Sequence, residues 1–249
     1  MRIIFFKIMP LNYYRGIEYE EKRPRNGGKY VKDNGNGHES YNFQVIQFLD
    51  DRFENGKEYC LGFVETKSTN KKISNQLHIE RLGEGINKND SEAEEVLVIW
   101  CATPEGEKNK PVVVGWYKSA TIYRRYQNAT IYHRPYKNQS YSCIAEASNC
   151  VLLPIEERHK EKWRIPIAKN QGYGFGQSLV WYADSGAEEE QKYIHELVKN
   201  ILEYTGENWI QIDIPIKSKK PLKPLKIDMQ AIKRRVESIK KFKNSKSDL

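Results

Sequence analysis

The sequence predicts an α+β fold: a small, strongly curved β-sheet or barrel, one late amphipathic helix and a basic C-terminal tail. Three observations carry this. Short runs rich in Val, Ile and aromatic residues, bordered by Gly, Asn and Pro, recur between residues 59 and 126, the composition that strands and their turns require. A sustained apolar face at helical spacing is found only after residue 187. From residue 217 the chain turns basic and proline-punctuated.

The first segment, "MRIIFFKIMPLNYYRG", has an apolar patch broken by Lys7 and Pro10 and followed by no small-residue cleavage site. It is expected to be a first strand rather than a signal peptide. Residues 14–41 are rich in Gly, Asn and charge, predicting a long loop of the kind that often carries function. Strands are then predicted at "YCLGFVET" (59–66), "LHIERL" (77–82), "EVLVIWCA" (95–102), "PVVVGWY" (111–117) and "ATIYRRY" (120–126), with "TPEGEKNKP" as a hairpin connection. Five strands so spaced, with few helices, suit a small barrel or curved sheet.

In "AEEEQKYIHELVKNILEYTG" the residues Tyr193, Ile194, Leu197, Val198, Ile201 and Leu202 form one apolar helical face. Ser185 is the expected N-cap, Glu188 to Glu190 complement the helix dipole, and Gly206 is placed to stop the helix. "WIQIDIPI" (209–216) alternates like a last strand. The predicted organisation is therefore one domain over residues 1–216 and a basic linker and tail over 217–249. The tetrapeptide Ala-Thr-Ile-Tyr occurs at 120–123 and 129–132, too short a match to establish a repeat architecture.

Charge is unevenly distributed. The net +8 of the chain resides in residues 217–249, which hold twelve Lys/Arg and three Asp/Glu, leaving residues 1–216 at −1. Polyanion binding by the body must then come from local clustering, with the tail adding salt-sensitive, sequence-independent attraction to phosphates. Cys60, Cys101, Cys143 and Cys150 form no C-x-x-C pair, so neither a structural zinc nor a redox motif is signalled, and buried free thiols are expected. No apolar stretch has the length of a membrane span. The expectation is a cytoplasmic protein with no membrane partner.

The densest candidate region is "GWYKSATIYRRYQNATIYHRPYKNQSY" (115–141), where tyrosines alternate with cations. Bases stack on aromatic rings and guanidinium groups pair with phosphate, so the composition suits a nucleic-acid surface. It also suits a core with solvated arginines. The glycines at 172, 174 and 176 do not make a dinucleotide fingerprint, because the third comes one residue early, and a Walker lysine is absent. They imply flexible or closely approaching backbone. Catalytic signatures are weak: His38 and Glu39 lack a second ligand pair, Asp213 and Lys217 lack a second acid, and the remaining histidines form no constellation. No cofactor or metal is expected.

Three segments, "VLVIWCATPEGEKNKPVVVGWYKSATIYR", "GGKYVKDNGNGHESYNF" and "GYGFGQSLVWYAD", resemble a prokaryotic module that precedes nuclease domains in modification-dependent restriction systems. That module is similar to the PUA-like group that includes EVE and YTH domains. The resemblance covers about residues 10 to 205. It implies a PUA-like barrel that receives a flipped, modified base, with DNA favoured, in an aromatic cage. Under this reading Trp116, Tyr117, Trp181 and Tyr182 supply rings, His38 and Asn42 read the base edge, and Lys118, Arg124, Arg125 and Arg134 meet phosphates. Only a basic tail follows here, so cleavage is either supplied by a separate nuclease or effector subunit or lost. The alternatives are a divergent metal-dependent nuclease acting on modified DNA through His38/Glu39 or Asp213, and an RNA-binding protein working through its tail.

Overall fold

β1 (Arg2–Ile8) lies parallel to β4 (Glu92–Ala102), and every other strand pair is antiparallel. The remaining strands are β2 (Val45–Gln47), β3 (Glu58–Gly62), β5 (Val112–Thr130), β6 (Asn138–Glu146), β7 (Cys150–Leu152) and β8 (Val180–Trp181). They form one mixed sheet in the order β2-β3-β6-β5-β4-β1-β8, with β7 also paired to β5. These facts come from a computed structural model that describes residues 1–16, 37–47, 56–66, 76–107, 109–131 and 138–214. Most of the predicted 14–41 loop, Arg134 and the 217–249 tail lie outside the described residues. Met1–Pro215 form one compact unit.

The α+β class is as expected, with few helices beside a large sheet. Among the described strands no pairing closes the sheet into a barrel. Strands β4 and β1 are covered on both faces, which is why they read as unbroken apolar runs. Ile4, Phe6, Val98 and Trp100 enter one core, while Phe5, Leu97, Ile99 and Cys101 enter the other. The second core is roofed by α3 (Glu188–Leu202) and by the segment carrying the single turns α1 (Ile155–Arg158) and α2 (Ala168–Gln171). A smaller cluster of Ile46, Leu61, Tyr141 and Ile144 sits under β2, β3 and β6. All four cysteines are buried free thiols. No helix of the described residues is long and apolar enough to cross a membrane.

Several local expectations are corrected. The predicted strands 111–117 and 120–126 are one 19-residue strand, β5, which absorbs the interruption by register shifts against β4 and by Ser119 at φ 47. Residues Ile79–Leu82 are a 3₁₀ turn rather than a strand, tied to β5 by the Leu77 N–H on the Arg124 carbonyl at 2.7 Å. Residues 209–214 form turns and irregular chain. Their carbonyls at Trp209 and Ile212 accept from the Arg15 guanidinium at 2.5 and 2.6 Å instead of from a strand partner. The cap of α3 is Ala187; Ser185 instead donates its N–H and hydroxyl to the Glu190 carboxylate, at 2.9 and 2.5 Å. That bond reaches back from the first turn in the manner of half a capping box. The helix ends at Leu202, ahead of Gly206.

Gly115 sits where β5 pairs with β7 and the Phe43 ring packs against it. A Cβ there would overlap the Val151 carbonyl and the Phe43 ring. Because the first obstacle is backbone, it cannot be relieved by a rotamer change. Gly115→Ala is expected to lower the unfolding free energy by about 3 kcal/mol or more, measured by urea denaturation against the parent protein.

Candidate functional site

The four rings expected to form a cage are core residues, none more than 8% exposed. Trp116 and Tyr117 are successive residues of β5 and so point to opposite faces, both of which are covered. Trp116 stacks on Trp163 at 5.5 Å and meets Tyr204 edge-on. Tyr117 packs edge-on against Phe43 and Trp100, both at 5.4 Å, and donates its hydroxyl to the Asn42 carbonyl. Trp181 stacks on Phe5 at 4.2 Å and donates its indole N–H to Glu190. The Tyr182 oxygen accepts the His78 N–H at 2.7 Å, and the Arg81 guanidinium lies 4.2 Å over its ring. Burial pushes the Tyr182 hydroxyl up to about 12. Two faces of one sheet cannot be two walls of one cage, so the cage assignment is corrected.

The expected edge-readers are also engaged by the fold. Asn42 is fully buried, and its amide accepts from the Phe63 N–H at 2.9 Å and donates to the Phe63 carbonyl at 3.0 Å. It thus supplies the chain after β3 with the hydrogen bonds a neighbouring strand would give. His38 Nδ1 accepts the Ser140 N–H at 3.2 Å, and burial holds its pKa below the usual imidazole value. The ring is therefore a neutral acceptor at that nitrogen.

Among the expected phosphate ligands, Arg124 is structural. Its guanidinium donates to the Asp90 and Asn87 carbonyls at 2.7 and 2.9 Å and to the Glu80 carboxylate at 2.6 Å. Partial burial works to raise the Glu80 carboxyl, but the Arg124 hydrogen bond and its companions win and hold it at about 2. Arg125 is exposed and Lys118 half-exposed, and neither has an ion-pair partner among the described residues. Arg134 lies outside the described residues.

Of the three rings that come together at the surface, the sequence reading selected His38 but neither Phe63 nor Tyr126. Pairing of β5 with β6 breaks after Ile122↔Cys143 and resumes at Gln127↔Tyr141. Residues 123–126 of β5 leave β6 over this interval, the Arg124 N–H bonding instead to the Ser91 carbonyl at 2.7 Å. In the gap, the Tyr126 hydroxyl accepts the Thr66 N–H at 2.8 Å and bonds the Val64 carbonyl at 3.1 Å. This holds the Tyr126 ring 5.0 Å from Phe63, which is in turn 5.0 Å from His38. All three rings are half-buried, so they make a contiguous aromatic ridge. Besides His38, its sequence signal is the tyrosine ending "ATIYRRY", and nothing in spacing shows that this ring, rather than Trp116, faces outward.

Glu39, next to His38 in the chain, is 8% exposed, with Oε2 accepting the Met9 N–H at 3.0 Å. Desolvation outweighs its backbone hydrogen bonds and pushes its carboxyl up to about 7. Held in this way, it is a seat for the chain around Met9 rather than an open acid or base. Asp213 is exposed and brings no second acid with it. Among the described residues no three His, Cys, Asp or Glu side chains converge on a point where a metal could sit. A cavity of about 350 Å³ opens at the C-terminal ends of β1 and β4, between Leu11, Pro104, Val112, Ile155 and His159. It contains none of the expected site residues. Comparison of the chain with protein families, with characterised proteins and with solved structures finds no match.

Two measurements check this assignment of roles. Arg124→Ala is expected to destabilise the fold by about 2–4 kcal/mol, since it leaves carbonyls and Glu80 unpaired, whereas Arg125→Ala leaves the urea midpoint unchanged. For Glu39, the folded-state pKa of about 7 lies above its ordinary value of 4.5. The folded state then binds more protons than the unfolded state between those values. Stability is full below pH 4.5 and falls by about 3 kcal/mol as pH rises through 7. Urea titrations of the parent protein and of Glu39→Gln from pH 4.5 to 8 should diverge by this amount, the variant lacking the fall.

Proposed function

We propose that this chain is a non-catalytic nucleic-acid reader, in which an unpaired or extruded base stacks on the ridge of His38, Phe63 and Tyr126. The observation that carries the reading is the ridge itself: three half-exposed rings in mutual contact, each held by the backbone or side-chain bonds described above. Stacking on such rings contributes about 1–3 kcal/mol per base. That can offset the few kcal/mol needed to extract a base from a duplex. A neutral His38 at one end adds a stacking surface without a charge that would have to be desolvated.

Cations stand near both ends of the ridge in the chain. Arg125 precedes Tyr126, and segments 67–75 and 132–137, adjoining Thr66 and Asn138, contain five Lys/Arg and no Asp/Glu. The tail adds sequence-independent attraction. The resemblance of the β4–β5 hairpin to EVE- and YTH-type readers supports a PUA-like kinship, a modified base in DNA as the preferred target, and a defence setting in which reading is coupled to a nuclease. A nuclease centred on His38 and Glu39 is less well supported, since His38 Nδ1 is occupied by a backbone N–H and Glu39 is buried.

The test is fluorescence anisotropy on a panel of duplexes carrying 5-methylcytosine, 5-hydroxymethylcytosine, N6-methyladenine or no modification, at two salt concentrations. Phe63→Ala and His38→Ala should each weaken the preferred complex by about 5- to 100-fold while leaving circular dichroism unchanged. Deleting residues 217–249 should weaken all complexes alike and keep the preference. Equal binding to every duplex with a steep salt slope, untouched by either ring substitution, would refute the reading.

A further inference from the structure

Past the break that releases Tyr126, β5 and β6 pair again as Gln127↔Tyr141, Asn128↔Ser140, Ala129↔Gln139 and Thr130↔Asn138. Successive residues of a strand point to opposite faces, and cross-strand partners share a face. Burial separates the two faces here. Ala129 and Tyr141 pack in the cluster with Leu61, and the buried Gln139 amide donates to the Leu61 carbonyl at 3.2 Å. Asn128, Thr130 and Asn138 are exposed and Ser140 is half-buried. Tyr126, Asn128 and Thr130 fall at i, i+2 and i+4 of β5, so the ring of the ridge and the two polar residues lie on one face, at steps of about 7 Å. On β6, the Ser140 N–H that meets His38 Nδ1 at 3.2 Å ties the same hairpin to the other end of the ridge. The ridge therefore continues into a patch of two amides and two hydroxyls, set out as two cross-strand pairs.

The patch supplies hydrogen-bond donors without charge. Ser140 donates its hydroxyl to Asn128 Oδ1 at 2.7 Å. That bond turns the Asn128 Nδ2 hydrogens away from Ser140, and they have no partner among the described residues. The Thr130 and Asn138 side chains likewise have no partner among the described residues. A phosphodiester offers only acceptors, so amide and hydroxyl donors match it directly, and contacts of this kind are common where proteins hold a nucleic-acid backbone. Charge favours the same ligand. Residues 108–145 contain seven Lys/Arg and no Asp or Glu, in a body whose net charge is −1. A polyanion laid on this hairpin meets no carboxylate of the hairpin itself.

We propose that Asn128, Thr130, Asn138 and Ser140 hold the phosphodiester backbone next to a base stacked on the ridge, as a neutral track for the nucleic-acid strand. The inference rests on the base-stacking reading and adds to it the face along which the strand leaves the rings. Because these donors carry no charge they displace no condensed counterion, unlike the lysines and arginines of the tail. The test is fluorescence anisotropy of the full chain with the tightest-binding duplex of the panel above, across a salt series. Asn128→Ala/Thr130→Ala is expected to bind about 5- to 30-fold more weakly, with an unchanged slope of log affinity against log salt. The order of preference among the duplexes should be kept, since phosphate contacts carry no base information. Thr130→Ser, which keeps the hydroxyl, should bind like the parent, and Asn128→Asp should weaken binding at least as much as Asn128→Ala. Circular dichroism should be the same for all of these surface variants. Parent-like affinity of the double variant, a reduced salt slope, or a lost preference among the duplexes would each overturn the proposal. If the double variant binds like the parent while Phe63→Ala weakens binding, stacking stands and the track fails. Insensitivity to Phe63→Ala, or no binding to any duplex, sinks stacking and the track with it.

Discussion

Coverage of β4 and the first half of β5 on both faces is the constraint from which the rest of the molecule follows. A strand exposed on one side can spend alternate side chains on a ligand; a strand sandwiched between two cores cannot. Ile99 and Trp116 therefore pack on one side while Trp100 and Tyr117 pack on the other. The polar parts of these rings must be satisfied inside the protein or remain unpaired. Tyr117 finds the Asn42 carbonyl, whereas the indole N–H groups of Trp100 and Trp116 have no partner among the described residues. An unpaired buried N–H is tolerable only where the surrounding apolar contacts are extensive, and here each indole lies in a cluster of aromatic neighbours.

Surface chemistry is consequently confined to places where the sheet is irregular. The break in β5–β6 pairing releases four residues from the ladder, and their fates differ by direction. Arg124 turns toward the 3₁₀ turn at Ile79–Leu82 and closes that connection, while Tyr126 turns toward the chain after β3 and joins Phe63. One backbone irregularity thus builds a structural clamp and an exposed ring side by side. Bulges that re-aim side chains at the margins of a sheet are a common way for a strand to acquire function without opening its core. The turn around Gly174 does the equivalent on the other face, bringing Tyr173 to a cleft beside α3.

How far this was legible in the sequence depends on which level of structure each residue reports. The unbroken apolar run of β4 and the i, i+3, i+4 face of α3 are local patterns, and both elements are where those patterns place them. The run at 77–82 alternates like a strand, yet among the described residues it meets β5 only through the bridge at Gln76, and Ile79–Leu82 closes into a 3₁₀ turn whose Glu80 side chain is held by Arg124. Ser185 has the chemistry of a cap and lies two residues too early, where it serves Glu190 instead. The ring assignments failed for a different reason. Alternation along β5 tells which residues share a face, but whether a face is wet depends on what packs upon it. For Trp116 that cover is Trp163 and Tyr204, which lie far along the chain.

The distribution of charge bears on how a protein of this kind could discriminate between ligands. With the body of the chain at −1 and the tail at +9, any long-range attraction to a polyanion comes from residues 217–249. Such attraction falls steeply with salt and does not depend on which base is present. Contacts made by half-buried rings are nearly salt-independent, because no counterion is released when a base stacks. In the body, several cations are neutralised by fixed partners: Arg81 by Asp184, Arg124 by Glu80, Arg164 by Glu107 and Lys57 by Glu146. On the proposed reading, recognition is left to the shape and stacking of rings set by the backbone. Selectivity would then reside in the body and capture in the tail, two contributions that ionic strength separates.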